Sequence, residues 1–166
     1  MEYQVRISYE TAEILENLKD IYETKEGIHF SKSDVLMKAI SDNRALWNDV
    51  SWKDIIVKRN KKNIVSSSLR PKFDVSKDTS NDIEYLKKIL PKCLDSRSVT
   101  YGVVIKYILK IALFELQKKE PKTIREMIEF FEEKHLSKAN TDEEKENIKS
   151  FAGNIINSLD KISYEK

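Results

Sequence analysis

The first eight residues restrict the fold more than any other stretch. Tyr3-Gln4-Val5-Arg6-Ile7-Ser8 alternates without a break, with Tyr3, Val5 and Ile7 on one face and Gln4, Arg6 and Ser8 on the other, the pattern of a half-buried β-strand. A lone strand does not persist in water, because its backbone groups need a partner and its apolar face needs cover. No second strand follows nearby. The alternation returns only at Arg70-Pro71-Lys72-Phe73-Asp74-Val75-Ser76, where Pro71, Phe73 and Val75 oppose Arg70, Lys72, Asp74 and Ser76. A proline near a strand start is tolerated, since only one donor is lost.

The residues between these segments read as helix. Ser8 stands where an N-cap belongs, Glu10 and Glu13 suit the positive end of the helix dipole, and Ile14, Leu15, Leu18, Ile21 and Tyr22 line one face up to Gly27. Ser31-Lys32-Ser33-Asp34 opens a second helix with Val35, Leu36, Ala39 and Ile40 inward. Over residues 43–65, Leu46, Trp47, Val50, Trp52, Ile55 and Ile56 predict continued or renewed helix, with Ser51 placed to cap it and the two tryptophans as packing anchors. Ser66-Ser67-Ser68 reads as a flexible lead into the second strand.

After that strand the order repeats. Asp78, Thr79 or Ser80 is predicted to cap a helix carrying Ile83, Leu86, Ile89 and Leu90, closed by Pro91. Ser96-Arg97-Ser98 then stands as the counterpart of Ser31-Lys32-Ser33, ahead of the most apolar helix, with Val99, Val103, Val104, Ile108, Ile111, Ala112 and Leu116. An offset of 75 − 7 = 68 carries Ile7 to Val75, Val5 to Phe73 and Leu18 to Leu86, whereas Ser31 to Ser96 is 65, which makes the second copy shorter by three residues. From Pro121 the register changes. Ile124, Met127, Ile128 and Phe131 predict one amphipathic helix, and Ile148, Phe151, Ile155, Ile156 and Leu159 another, begun by Thr141-Asp142-Glu143-Glu144.

With 35% charged residues, 40% apolar residues and only Gly 3 and Pro 3, the composition favours a helix-rich protein over a β-sandwich or a loop-heavy secreted scaffold. Cys93 is the single cysteine, cannot form an internal disulfide, and reads as a small apolar residue in a reducing compartment. Neither an apolar run of about 18 residues nor a cleavable leader is visible, so a cytoplasmic protein is expected. The net charge of +2 conceals a segregation: residues 58–110 carry 13 Lys and Arg against 5 Asp and Glu, while both flanks are net acidic. A basic middle of this kind, with Lys58, Arg59, Lys61 and Lys62 in one run, is a possible footprint for phosphate.

Both strand-helix-helix segments resemble ribbon-helix-helix units of the Arc and MetJ repressor superfamily. Residues 1–48 and 66–118 carry the likeness; the connector 49–65 and the extension 121–166 do not. The resemblance implies a mainly α fold in which two strands form an antiparallel ribbon, with a C-terminal helical extension added. It implies that the ribbon enters the DNA major groove, where outward side chains meet base edges. Carried over by position, the base readers are Gln4, Arg6 and Ser8 from the first strand and Arg70, Lys72 and Asp74, with Ser76 a further candidate, from the second. Asp74 departs from a cationic or amide set and has an equal reading as a structural bond to the neighbouring strand. The helix starts at Ser31, Lys32 and Ser33 and at Ser96, Arg97 and Ser98 become phosphate sites, or simple caps. The basic run Lys58, Arg59, Lys61 and Lys62 would add phosphate contacts.

Two copies in one chain imply a fused dimer with strands paired internally, although pairing with a second chain stays open. An internally paired ribbon is asymmetric and favours a non-palindromic site or adjacent half-sites. The expected function is sequence-specific double-stranded DNA binding by a transcriptional repressor or autoregulator, as a homo-oligomer in which pseudo-dimers pair. The alternatives are an adaptor in plasmid segregation or mobilisation, or an antitoxin, with residues 121–166 recruiting a protein partner. A helical interaction protein without nucleic acid is the remaining reading. No cofactor, metal or membrane partner is expected, nor an enzyme, since His29 and His135 lie far apart and no phosphate loop or nucleophile motif is present. His29 is expected to be packed or to face phosphate.

Overall fold

Serine caps fix where the first three helices begin. The computed structural model describes residues 1–119 and 123–164, the side chains of 163 and 164 excepted, so Pro121 lies outside the described residues. Ser8 Oγ accepts the Thr11 amide at 3.1 Å and starts α1 (Tyr9–Glu26), which Gly27 closes in the left-handed region at φ 70. A capping box starts α2 (Lys32–Asn43): the Asp34 amide donates to Ser31 Oγ at 3.2 Å and the Ser31 amide to Asp34 Oδ2 at 2.8 Å.

The two strands pair with each other inside one chain. The strand β1 (Glu2–Gln4) runs antiparallel to β2 (Lys72–Asp74), with Glu2 opposite Asp74, Tyr3 opposite Phe73 and Gln4 opposite Lys72. The ladder is shorter than the alternating segments, but single bonds prolong it: Val75 N–H to Met1 O at 2.9 Å, Val5 N–H to Pro71 O at 3.3 Å and Ile7 N–H to Leu69 O at 3.0 Å. Its underside, Val5, Ile7, Phe73 and Val75, is buried, and its other face is exposed.

After β2 three expectations are corrected. The cap of α3 (Lys77–Cys93) is Ser76, whose Oγ accepts the Thr79 amide at 3.1 Å, rather than Asp78, Thr79 or Ser80. Pro91 lies inside α3 instead of closing it: the lost donor falls in the last turn, and Leu94 N–H still reaches Leu90 O at 2.9 Å. The last helix of this region, α4 (Tyr101–Lys118), begins later than Ser96–Ser98. Thr100 precedes its first turn, with the Val104 amide on Thr100 O at 3.1 Å. Matching Ser31 to Thr100 gives 100 − 31 = 69, so the second copy is one residue longer to this point rather than three shorter.

The connector is not helical beyond short turns at Arg44–Leu46, Trp52–Asp54 and Ser66–Leu69. Trp47 and Trp52 are 4% and 3% exposed, so burying these two indoles sets the path where helix periodicity does not. At the centre of the core, α4 is apolar almost all round, burying Val104, Ile105, Ile108, Leu109, Ile111, Ala112 and Leu113, and it packs against α1, α2 and α3.

The chain forms two compact units, Met1–Lys118 and Lys119–Lys166, so both copies and the connector belong to one unit. The second unit is a pair of packed helices, α5 (Ile124–Leu136), capped by Thr123, and α6 (Asp142–Tyr164), whose start Thr141 and Glu144 box as expected. The described protein is therefore mainly helical, with one two-stranded antiparallel sheet, and no described helix is long and apolar enough to cross a membrane.

Candidate nucleic-acid interface

Strand pairing collects most of the expected base readers on one surface. Gln4 and Lys72 face each other across the ribbon, and Arg6, Arg70 and Asp74 are exposed on the same outer side. Glu2 belongs there too, opposite Asp74, and the period of two in the first strand already places it beside Gln4 and Arg6. Lys72 Nζ lies 3.4 Å from Glu2 Oε1, an exposed pair of little energetic weight. Asp74 meets the Met1 ammonium at 3.5 Å while keeping 88% of its side chain exposed, so its carboxylate is only loosely held.

Ser8 is not a free reader. Its hydroxyl caps α1 and also lies 2.9 Å from Thr11 Oγ1, because the chain turns into the helix at this residue. Ser76 has the matching arrangement, with Thr79 Oγ1 at 2.9 Å.

Each second helix meets the strand of the other copy. The Asp74 amide, on the open edge of β2, donates to Ser33 Oγ at 2.9 Å, docking the start of α2 on the ribbon. The equivalent docking at α4 is steric. A Cβ on Gly102 would come within 2.3 Å of Arg6 O, so only glycine allows this approach. With the offset of 69, Gly102 is the counterpart of Ser33; a glycine inside an apolar helical run was the signal for it.

The two helix starts expected to meet phosphate differ in what they offer. At α2 the Ser31 amide is taken by Asp34, which leaves the Lys32 and Ser33 amides without a helical acceptor and Lys32 as the adjacent cation. Hydrogen bonds from Ser31 hold the Asp34 carboxyl below the usual carboxylate range, so its charge partly offsets the dipole there. Ser96, Arg97 and Ser98 do not form the α4 start. Ser96 Oγ donates to Ser98 O at 2.8 Å within the preceding turn, where Asp95 takes a positive φ of 50, and Thr100-Tyr101-Gly102 occupies the helix start. Tyr101 stands where Lys32 does. It donates to Glu84 Oε1 at 2.6 Å, which pushes its phenol pKa up to about 12, and its ring lies under Lys87 Nζ at 3.6 Å.

The basic connector is drawn onto α1 and α4 instead of standing free. Arg59 pairs with Glu13 at 2.8 Å, Lys62 with Asp20, and Asn60 exchanges backbone bonds with the Asn17 amide at 2.9 and 3.0 Å. Gln117 holds the backbone of Lys58 from both sides at 2.6 and 3.0 Å. Arg59 and Lys62 are thus engaged by carboxylates, contrary to the phosphate expectation, while Lys58 and Lys61 expose their side chains. The charge run was visible in the sequence; its acidic partners, some forty residues earlier, were not. His29 is 79% exposed and meets Glu23 at 2.8 Å, so it is not packed. Cys93 is free and half-buried.

In the second unit an apolar groove of about 510 Å³ runs between α5 and α6, lined by Ile128, Phe131, His135, Ile148, Phe151 and Ile155 among others. Phe131 and Phe151 remain 48% and 70% exposed. Compared with protein-family models, curated proteins and solved structures, the chain finds no match.

Proposed function

We propose that the chain is a sequence-specific double-stranded DNA-binding protein of the ribbon-helix-helix type, with two tandem units fused into a pseudo-dimer, acting in the cytoplasm as a transcriptional repressor or autoregulator and not as an enzyme. The observation that carries this reading is the in-register pairing of β1 with β2, whose apolar side is buried and whose polar side is open. An antiparallel two-stranded ribbon fits the major groove, and Gln4, Arg6, Arg70 and Lys72 are residue types that bond guanine or adenine edges there. Lys32 and the start of α2, docked at the ribbon edge through Ser33, contribute a backbone phosphate clamp that positions without specifying. Pairing of pseudo-dimers on adjacent half-sites belongs to the same proposal.

A second reading is favoured by the open apolar groove between α5 and α6: a DNA-binding adaptor in plasmid segregation or mobilisation, or an antitoxin, whose C-terminal helices recruit a protein.

Binding to duplex DNA selected from a random pool tests the proposal. Arg6→Ala and Lys72→Ala are each expected to lose about 1 to 3 kcal/mol on the selected site, whereas Lys32→Ala weakens all sequences alike and lowers the salt slope by about one. Retention of full affinity by Arg6→Ala overturns the ribbon reading.

A further inference from the structure

The exposed face of the ribbon has two unlike ends, and its register makes them so. The bonds from Val75 to Met1, Val5 to Pro71 and Ile7 to Leu69 continue the pairing of Tyr3 with Phe73 in one register, in which facing residue numbers sum to 76. Glu2 with Asp74 and Gln4 with Lys72 fall at the intervening positions, where facing Cα atoms approach to about 4.5 Å and side chains are closest, and the bonds from Val5 and Ile7 place Arg6 opposite Arg70 just beyond the ladder, at the end of the Ser66–Leu69 turn. One end thus sets carboxylate against carboxylate, and the other guanidinium against guanidinium. Like charges placed so destabilise a strand pair. The acid end is relieved by Lys72 on Glu2 and the Met1 ammonium on Asp74, but neither Arg6 nor Arg70 is paired with a carboxylate among the described residues. A short exposed ribbon gains nothing in stability from this arrangement, which points to a ligand with opposite requirements at its two ends.

Resting on the reading of the ribbon as a major-groove element, we propose that the face reads a polar, non-palindromic duplex site in one orientation. Arg6 and Arg70 take guanines, and Glu2 and Asp74 take exocyclic amino groups of cytosine or adenine. The guanidinium end bonds O6 and N7 acceptors. The carboxylate end acts mainly by rejection: once desolvated, a carboxylate needs a donor, and guanine and thymine edges offer it only acceptors. Four residues of strand separate the ends, about 14 Å at 3.4 Å per residue. At a rise of about 3.4 Å per base pair that spans about four pairs along the groove.

The test is selection from random duplex DNA with the full chain and with the Glu2→Gln/Asp74→Asn double variant. Both side chains are exposed, 61% and 88%, so the variant is expected to unfold at the parent's temperature. The parent should select an asymmetric site with guanine at one end and cytosine or adenine at the other. The variant should lose about tenfold discrimination against guanine and thymine at that second end, while keeping guanine at the first. The polarity is overturned if the half-site under a single ribbon is itself palindromic, if the variant keeps the same discrimination, or if it binds every duplex more tightly by one factor, since the carboxylates would then only repel phosphate. If the parent enriches no duplex at all, the DNA reading itself falls with it.

Discussion

The two strand-helix-helix copies agree where they enter their first helices and disagree where they enter their second. Ser8 with Thr11 and Ser76 with Thr79 are the same device twice, to 3.1 Å in both amide bonds and 2.9 Å in both hydroxyl contacts. At the second helices, Ser31 closes a capping box and Ser33 bonds the β2 edge, whereas Thr100 opens α4 and Gly102 lies against Arg6 O. The strand pair obeys one geometric demand from both sides and so keeps one solution. The helix starts dock on strand edges that carry different residues, and each solves its contact separately.

The largest expected effect falls on the steric solution. Gly102→Ala sets a methyl 2.3 Å from a backbone oxygen and should destabilise the first unit by about 1 to 3 kcal/mol, while Ser33→Ala, which removes one acceptor from an edge amide, should cost about 1 kcal/mol. Urea denaturation of the two variants compares them; equal losses would mean that α4 shifts away from β1 freely. For the shared device, Ser8→Ala and Ser76→Ala should each cost about 0.5 to 2 kcal/mol and match one another closely, read by the same denaturation. A marked inequality would break the equivalence of the copies.

The smallest effect is a dependence on pH at one of the two second-helix starts. Asp34 is held below its ordinary range by Ser31, so its contribution is present above the carboxylate value of the unfolded chain and is lost as pH falls through its lower folded value. Val103 occupies the corresponding place in α4. Hydrogen exchange between neutral and acid pH should therefore show the first turn of α2 losing protection in acid before that of α4, with the difference absent in Asp34→Asn.

Much of this was legible because it is local. Alternation named the buried faces of both strands, and Ser8, Gly27, Ser31 and Thr141 marked helix ends through bonds to residues three or four positions away. Ser96-Arg97-Ser98 misled for the same reason: it has the local form of a helix start, but the Ser96 hydroxyl closes a turn on the Ser98 carbonyl, and α4 starts only at Tyr101. The connector misled through its apolar residues, whose three- and four-residue steps at Leu46, Trp47 and Val50 and at Trp52, Ile55 and Ile56 mimic a helix while the two indoles are buried in the core.

The chain by itself determined that two half-buried strands must find partners, that a helix pair follows each, and that the outer strand positions are polar, since side-chain alternation and capping depend on neighbours in sequence. Only the tertiary structure decided that the strands pair within one chain, that Glu2 faces Asp74 and, by extension of that register, Arg6 faces Arg70, and that Arg59 and Lys62 are held by Glu13 and Asp20. Those outcomes depend on register and on ion pairs between residues more than forty positions apart, which no local pattern specifies.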